Sequence, residues 1–164
     1  MFWNWMTGKR LTPENLNGFK TAYKSVAEDR GGTTLTVDTD LFFTIQPLEI
    51  WAFQFNVFAQ CTTVGDFKAS IGFPTGAACA WGMLGGNTGA STSYENFGIE
   101  AATSASTTRT AAMGGNPQLL PVIGTIFNST NAGSVSLYWA MNALDGGNTA
   151  SVRKGSHVIA TRLD

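Results

Sequence analysis

Residues 50–59 read Ile-Trp-Ala-Phe-Gln-Phe-Asn-Val-Phe-Ala, and this stretch decides the fold class. The large apolar residues fall on one face and the smaller or more polar ones on the other: Trp51, Phe53, Phe55 and Val57 against Ala52, Gln54 and Asn56. Alternation with a period of two is the pattern of a β-strand that buries one face. The aromatic and β-branched residues favour the same conformation. The stretch therefore predicts a half-buried strand.

Comparable segments recur along the chain. Residues 67–73 alternate before Pro74, and residues 135–139 alternate again. Residues 119–127 form a long apolar run, which predicts a strand covered on both faces. Further strands are predicted at 33–37, 41–45, 79–84 and 157–163.

Glycine-rich connections separate these segments. Gly-Gly-Asn occurs at 85–87, 114–116 and 146–148, where glycine permits tight turns. About eight short strands at this spacing predict a mainly β fold, an antiparallel β-sandwich of the jelly-roll type. Residues 91–113 are rich in Ala, Ser and Thr without a clear period, so we expect a long loop there.

The composition limits the kinds of partner. Apolar residues make up 43% of the 164 residues and charged residues only 13%, with a formal net charge of −1. A chain with this charge has no general attraction for nucleic acid, and no run is long enough to span a membrane. A surface with so few charges favours burial against other copies or another protein, with a polar-surfaced monomer as the alternative. Cys61 and Cys79 fit no metal spacing, so we expect reduced, half-buried thiols rather than a disulfide.

The first 32 residues differ from the rest and are predicted to form an N-terminal anchoring arm, followed by a sandwich domain at 33–164. Thr12 and Pro13 are a suitable N-cap and first turn for an amphipathic helix at about 13–30. Its apolar stripe is Leu16, Phe19, Tyr23 and Val26. Gly31 and Gly32 then end the helix.

Four large apolar side chains crowd into the first six residues: Phe2, Trp3, Trp5 and Met6, called the hook below. Such side chains are costly to leave in water, and Trp is frequent at interface hot spots. They either fold back onto the chain's own domain or insert into a neighbouring subunit. The second arrangement is the partner-binding prediction, with Lys9 and Arg10 pairing with carboxylates at the rim of the groove.

No catalytic constellation is apparent. The single histidine, His157, follows Ser156, and adjacent strand residues point to opposite faces. Asp38 and Asp40 are two apart, which is more typical of a turn bonded to its own backbone than of a cation site. We therefore predict no enzyme activity, no metal and no cofactor. A glycan site through Trp81, Trp139 or Tyr94 is an alternative, although the pattern places Trp139 in the core.

Several segments together resemble the β-sandwich virion proteins of tailed bacteriophages. They are Leu-Thr-Val-Asp-Thr-Asp-Leu-Phe-Phe (35–43), Glu-Ile-Trp-Ala-Phe (49–53), Asp-Phe-Lys (66–68), Ala-Gly-Ser-Val-Ser-Leu-Tyr-Trp-Ala (132–140) and Gly-Ser-His-Val-Ile-Ala-Thr-Arg (155–162). The resemblance covers about residues 33–164 in patches.

The resemblance implies a building role in a virion. It implies a capsid decoration or cement protein, made in the host cytoplasm and located on the capsid surface. Such proteins are typically homotrimers that bind the major capsid protein and stabilise the head. A tail-fibre or baseplate protein, or a glycan- or receptor-binding module, is the alternative.

Overall fold

The computed structural model describes residues 18–85 and 107–164, together with the backbone of residues 100–102. The described strands are β1 (Phe19–Tyr23), β2 (Glu28–Arg30), β3 (Thr36–Ile45), β4 (Ile50–Gln60), β5 (Phe67–Gly72), β6 (Ala78–Met83), β7 (Glu100–Ala102), β8 (Arg109–Ala111), β9 (Gln118–Phe127), β10 (Gly133–Met141), β11 (Ala150–Val152) and β12 (His157–Arg162). Within these residues, no helix is long and apolar enough to cross a membrane.

The strands form two antiparallel sheets. The large sheet has the order β1-β12-β4-β9-β6-β7, and β11 joins β2 to the end of β4. The small sheet has the order β3-β10-β5-β8. The predicted mainly β, antiparallel architecture is confirmed.

The inner faces of the two sheets share one apolar core. Phe43 of the small sheet lies with its ring centroid 5.9 Å from Trp51 and 6.0 Å from Phe53 of the large sheet. The inward residues of β4 that alternation predicted, Trp51, Phe53, Phe55 and Val57, are all buried. Burial of aromatic and aliphatic side chains between the sheets is the main source of stability in such a fold.

The predicted helix at about 13–30 is wrong for residues 18–30, whereas residues 13–17 lie outside the described residues. Residues 19–23 and 28–30 are the strands β1 and β2. β1 pairs with β12 and β2 with β11, so this part of the predicted arm belongs to the large sheet. The helix was predicted partly from the spacing of Phe19 and Tyr23. Residues four apart lie on the same face of a strand as well as of a helix, so this spacing does not distinguish the two.

The segment around Asp38 differs from the predicted turn between two strands. β3 runs without a break from Thr36 to Ile45, but its register with β10 shifts between Ser136 and Tyr138. The extra residues opposite Leu137 form a bulge. The carboxylate Oδ1 of Asp38 accepts hydrogen bonds from the backbone N–H groups of Asp40 and Leu41, both at 3.0 Å, so the predicted local bonding is confirmed.

Two other predictions need correction. The expected loop at 91–113 contains the strands β7 and β8, while residues 91–99 and 103–106 lie outside the described residues. β9 is covered on one face only: Leu119, Ile123 and Phe127 are exposed on the other.

Candidate functional site

The side of strands β1, β12, β4, β9 and β6 of the large sheet that points away from the core is the candidate site, and we call it the outer face. By strand alternation it comprises Phe19, Thr21 and Tyr23 of β1, His157, Ile159 and Thr161 of β12, Ile50, Ala52, Gln54, Asn56 and Phe58 of β4, Leu119, Pro121, Ile123, Thr125 and Phe127 of β9, and Ala78, Ala80 and Gly82 of β6. None of these residues is Asp, Glu, Lys or Arg; beyond them on the same side of the sheet, Gln60 at the end of β4 leads through Ser151 of β11 to the exposed Asp29 of β2.

Strand register arranges these side chains in rows that cross the strands. One row, called the trough, contains only small side chains on β12, β4, β9 and β6: Thr161, Ala52, Thr125 and Ala80. Phe19 of β1 closes the end of the trough. The neighbouring row, called the ridge, carries larger ones: Ile159, Gln54 and Ile123. Trough and ridge line a shallow groove of about 530 Å³ across the middle of the face.

Large apolar side chains of the outer face are open to solvent. Ile123 is 41% exposed, Phe127 51% and Tyr23 67%. Scattered exposed apolar residues are normal, but a contiguous apolar area on one sheet face marks an interaction surface. The sequence contained a signal for it, since β9 carries large apolar residues on both faces.

Three polar side chains of the outer face, Gln54, Asn56 and His157, are linked by hydrogen bonds. Gln54 Nε2 donates to Asn56 Oδ1 at 2.7 Å, and Asn56 Nδ2 lies 3.1 Å from His157 Nε2. His157 Nδ1 lies 3.0 Å from the carbonyl oxygen of Gly155. A neutral imidazole with its proton on Nδ1 satisfies both contacts, because Nδ1 then donates and Nε2 accepts.

A second region concentrates charges instead of excluding them. This charge cluster consists of Lys24, Glu28, Arg30, Asp38 and Asp40 around the ring of Trp139. Lys24 Nζ lies 2.9 Å from Glu28 Oε2 and 3.0 Å from both Asp38 Oδ2 and Asp40 Oδ2. Lys24 is 1% exposed and Asp38 is fully buried. The carboxylates of Asp38 and Asp40 therefore bind the ammonium group of Lys24.

Trp139 and Arg30 complete the charge cluster. Trp139 Nε1 donates to Asp38 Oδ2 at 2.8 Å, and the guanidinium of Arg30 lies 3.9 Å from the centre of the Trp139 ring. Arg30 also donates to the carbonyl oxygens of Thr36 and Trp139. These contacts tie the segment that connects β1 and β2 to the strands β3 and β10 of the other sheet.

The ionisation of Lys24 follows from these contacts. Burial alone disfavours the ammonium form and lowers the pKa of Lys24, but the hydrogen bonds to Glu28, Asp38 and Asp40 outweigh it. The pKa of Lys24 is therefore raised, and the side chain is charged at neutral pH. In the described part of the chain, no group of three or more His, Cys, Asp or Glu is placed to hold a metal ion.

The predicted partner-binding residues Phe2, Trp3, Trp5, Met6, Lys9 and Arg10 lie outside the described residues. The described chain starts at Gly18, directly before β1 at one edge of the large sheet. The side chain of Phe19 lies on the outer face and is 55% exposed. Phe19 therefore lies at the edge of the outer face.

Other sequence candidates have structural roles. Trp81 and Trp139 are buried, so neither offers a ring face to a glycan, and Tyr94 lies outside the described residues. Ser156 Oγ donates to the carbonyl of Arg153 at 2.8 Å and accepts from the N–H of Phe58 at 3.0 Å. These two bonds hold Ser156 in the loop before β12.

Both cysteines are free thiols, as predicted, and are fully buried rather than half-buried. Burial raises the pKa of Cys79 to about 12 and also raises the pKa of Cys61. A thiol with such a pKa carries little of the reactive thiolate at neutral pH.

Comparisons with known proteins cover sequence families, curated proteins and solved structures. No family model matches the chain, and no curated protein matches its sequence. Among solved structures, the chain is similar to a chain in the structure of infectious bursal disease virus, Gx strain, with 14% identity and a TM-score of 0.22. The alignment covers 88% of this chain and 38% of the viral chain, so this protein spans well under half of that chain's length. A TM-score of this size does not establish a common fold.

Proposed function

We propose that this protein is a structural component of a phage virion, a capsid decoration or cement protein that binds the major capsid protein and stabilises the head. The observation that carries the proposal is the uncharged outer face of the large sheet. A sheet face of this breadth without a formal charge is suited to permanent contact with protein.

The strand pairing supports a jelly-roll sandwich, the architecture that viral capsid domains and lectins use. Four antiparallel pairs are nested like a long hairpin: β1 with β12, β3 with β10, β4 with β9 and β5 with β8. Rolling up that hairpin places β12 beside β4 and β10 beside β5, and both pairs are present. β6 and β7 lie between β5 and β8 in the chain and extend the large sheet beyond β9.

The hook supplies the attachment to the shell in this proposal. Phe2, Trp3, Trp5 and Met6 insert into a groove of the major capsid protein, and Lys9 and Arg10 pair with carboxylates at its rim. Copies that associate on the shell then hold several such contacts at once. Linked weak contacts act as one strong contact because each bound arm raises the effective concentration of the next.

Deletion of residues 1–10 tests the attachment. We expect the shortened chain to keep its sandwich fold and to lose binding to shells assembled from the major capsid protein without decoration. The measurement is occupancy on the shells by cryo-electron microscopy, with circular dichroism to monitor the fold. The matched variants are W3A/W5A, which removes hook side chains, and N4A, which changes a polar residue between them.

Retention of wild-type occupancy by the shortened chain would show that the hook does not attach the protein to the capsid. Equal losses in W3A/W5A and N4A would show that the segment acts through something other than its aromatic side chains. A glycan-array signal from a protein that never binds shells would favour the receptor-binding module instead.

A further inference from the structure

We infer that the outer face of the large sheet docks onto the outer face of a second copy of the same chain, related by a two-fold axis. This inference rests on the proposed function and deepens it, because it names a surface through which copies associate, in two-fold pairs rather than in the homotrimers that the resemblance implies. It is measured on the pure protein, so it fails or holds separately from shell binding.

The first argument is the absence of charge. In a two-fold contact residue i meets residue j of the other copy and j meets i, so a charge beside the axis approaches its own image and a charge elsewhere needs an opposite charge on the same patch. Like charges brought together at an interface cost several kcal/mol. The outer face carries no Asp, Glu, Lys or Arg in a chain with 21 such residues, and it meets this condition.

The second argument is the double-sided apolar character of β9. Leu120, Val122 and Ile126 are buried in the core, while Ile123 and Phe127 point the other way and are 41% and 51% exposed. A strand with one face in water normally alternates between apolar and polar residues. The sequence of β9 is instead typical of a strand covered on both faces, and a second copy supplies the missing cover.

The third argument is shape. The trough of small side chains (Thr161, Ala52, Thr125, Ala80) runs beside the ridge formed by Ile159, Gln54 and Ile123. A two-fold axis between them lets the ridge of each copy fill the trough of the other. Interdigitation of this kind is how sheets pack about 10 Å apart in a sandwich.

The fourth argument is area. A strand spacing of about 4.8 Å and about 3.4 Å per residue give the five strands β1, β12, β4, β9 and β6 a face on the order of 600 Å². Two such faces bury on the order of 1,200 Å², the lower limit for specific and stable interfaces.

Three polar side chains of the face already have hydrogen-bond partners before docking. Gln54, Asn56 and His157 are linked by hydrogen bonds to one another and to the Gly155 carbonyl. Polar groups that already have partners lose fewer bonds to water when they are buried. Desolvation therefore costs less here than at a face whose amides bond only to water.

The test compares two substitutions of the same type in the full-length chain. Thr125 lies in the trough, and Thr44 is exposed on the outward side of β3 in the small sheet, where it pairs with Ser134. T125R places a long side chain with an unpaired charge in the trough, where the ridge of the other copy docks, so we expect the dissociation constant of the pair to rise at least about 100-fold. T44R should leave it unchanged. The measurement is sedimentation equilibrium over a range of concentrations.

A second variant keeps the inference testable if T125R does not fold. I123S shortens the ridge without adding a charge, and we expect it to weaken the pair about 10-fold or more. A wild-type protein that stays monomeric up to about 100 μM would overturn the inference. So would unchanged assembly in T125R and I123S, or equal losses in T125R and T44R. Deletion of residues 1–10 should leave the pair intact even where shell binding is lost.

Discussion

The charge cluster and the outer face use charge in opposite ways, although β1 borders both. At the charge cluster, Lys24 is buried among three carboxylates and the Trp139 indole bonds to Asp38. On the outer face, Phe19 and Tyr23 of the same strand are exposed and no charged residue is present. A chain with only 13% charged residues thus places part of that charge inside.

The two regions have different roles: the charge cluster specifies the fold, and the outer face serves association with a partner. Buried ion pairs are weak evidence for stability, but removal of one partner is costly because the other charge stays buried. The charge cluster therefore fixes where the β1–β2 segment attaches to β3 and β10. The outward side chains of the outer face do not hold elements of the domain together. Their apolar surface contributes favourable free energy only when a partner covers it.

The largest expected effect comes from the charge cluster. K24M removes the ammonium and leaves the Asp38 carboxylate buried, so we expect the free energy of unfolding to fall by about 3–5 kcal/mol. K20M is the matched control, because Lys20 lies on β1 with its ammonium 6.0 Å from the Trp51 ring and no ion pair is described for it. Its effect should stay within about 1 kcal/mol, the contribution of a cation–π contact at a partly exposed site. The measurement is urea unfolding followed by tryptophan fluorescence.

Equal effects of K24M and K20M would contradict a structural role for the charge cluster. A folded K24M protein that loses self-association while its stability is unchanged would also contradict the separation of the two regions.

A smaller effect is expected from pH. The folded pKa of Lys24 is raised above its ordinary value of 10.5. Its contribution is therefore fully present below about pH 10 and is lost as the pH rises through the folded pKa. The difference in unfolding free energy between wild type and K24M should be constant from about pH 8 to 10 and shrink above that. A difference that grows with pH in that window has the wrong sign for a raised lysine pKa.

The strands with one buried face were predictable from the sequence, because alternation in β4 and β5 is a local pattern. Strand β1 was not predicted, and part of a helix was predicted in its place, since the spacing of Phe19 and Tyr23 fits a strand and a helix equally. β3 was predicted as two strands because Asp38, Thr39 and Asp40 resemble a turn, whereas β10 continues the pairing past the bulge.

The candidate site was less predictable. The charge cluster depends on contacts that are distant in sequence: Trp139 lies 101 residues from Asp38, and no local pattern joins them. The outer face left one trace, the apolar run of β9, which predicted cover on both sides. The structure supplies cover on one side only, and this mismatch is what points to a partner.

The most direct test of the central claim, that copies of the protein associate through an uncharged face, is the dissociation constant of the wild-type protein at rising salt concentration. Exposed charge pairs are screened strongly between about 0.05 and 0.5 M salt, whereas apolar contacts are not. We predict a dissociation constant that stays constant or falls over this range. A constant that rises steeply with salt, or no association at any concentration, would contradict the claim.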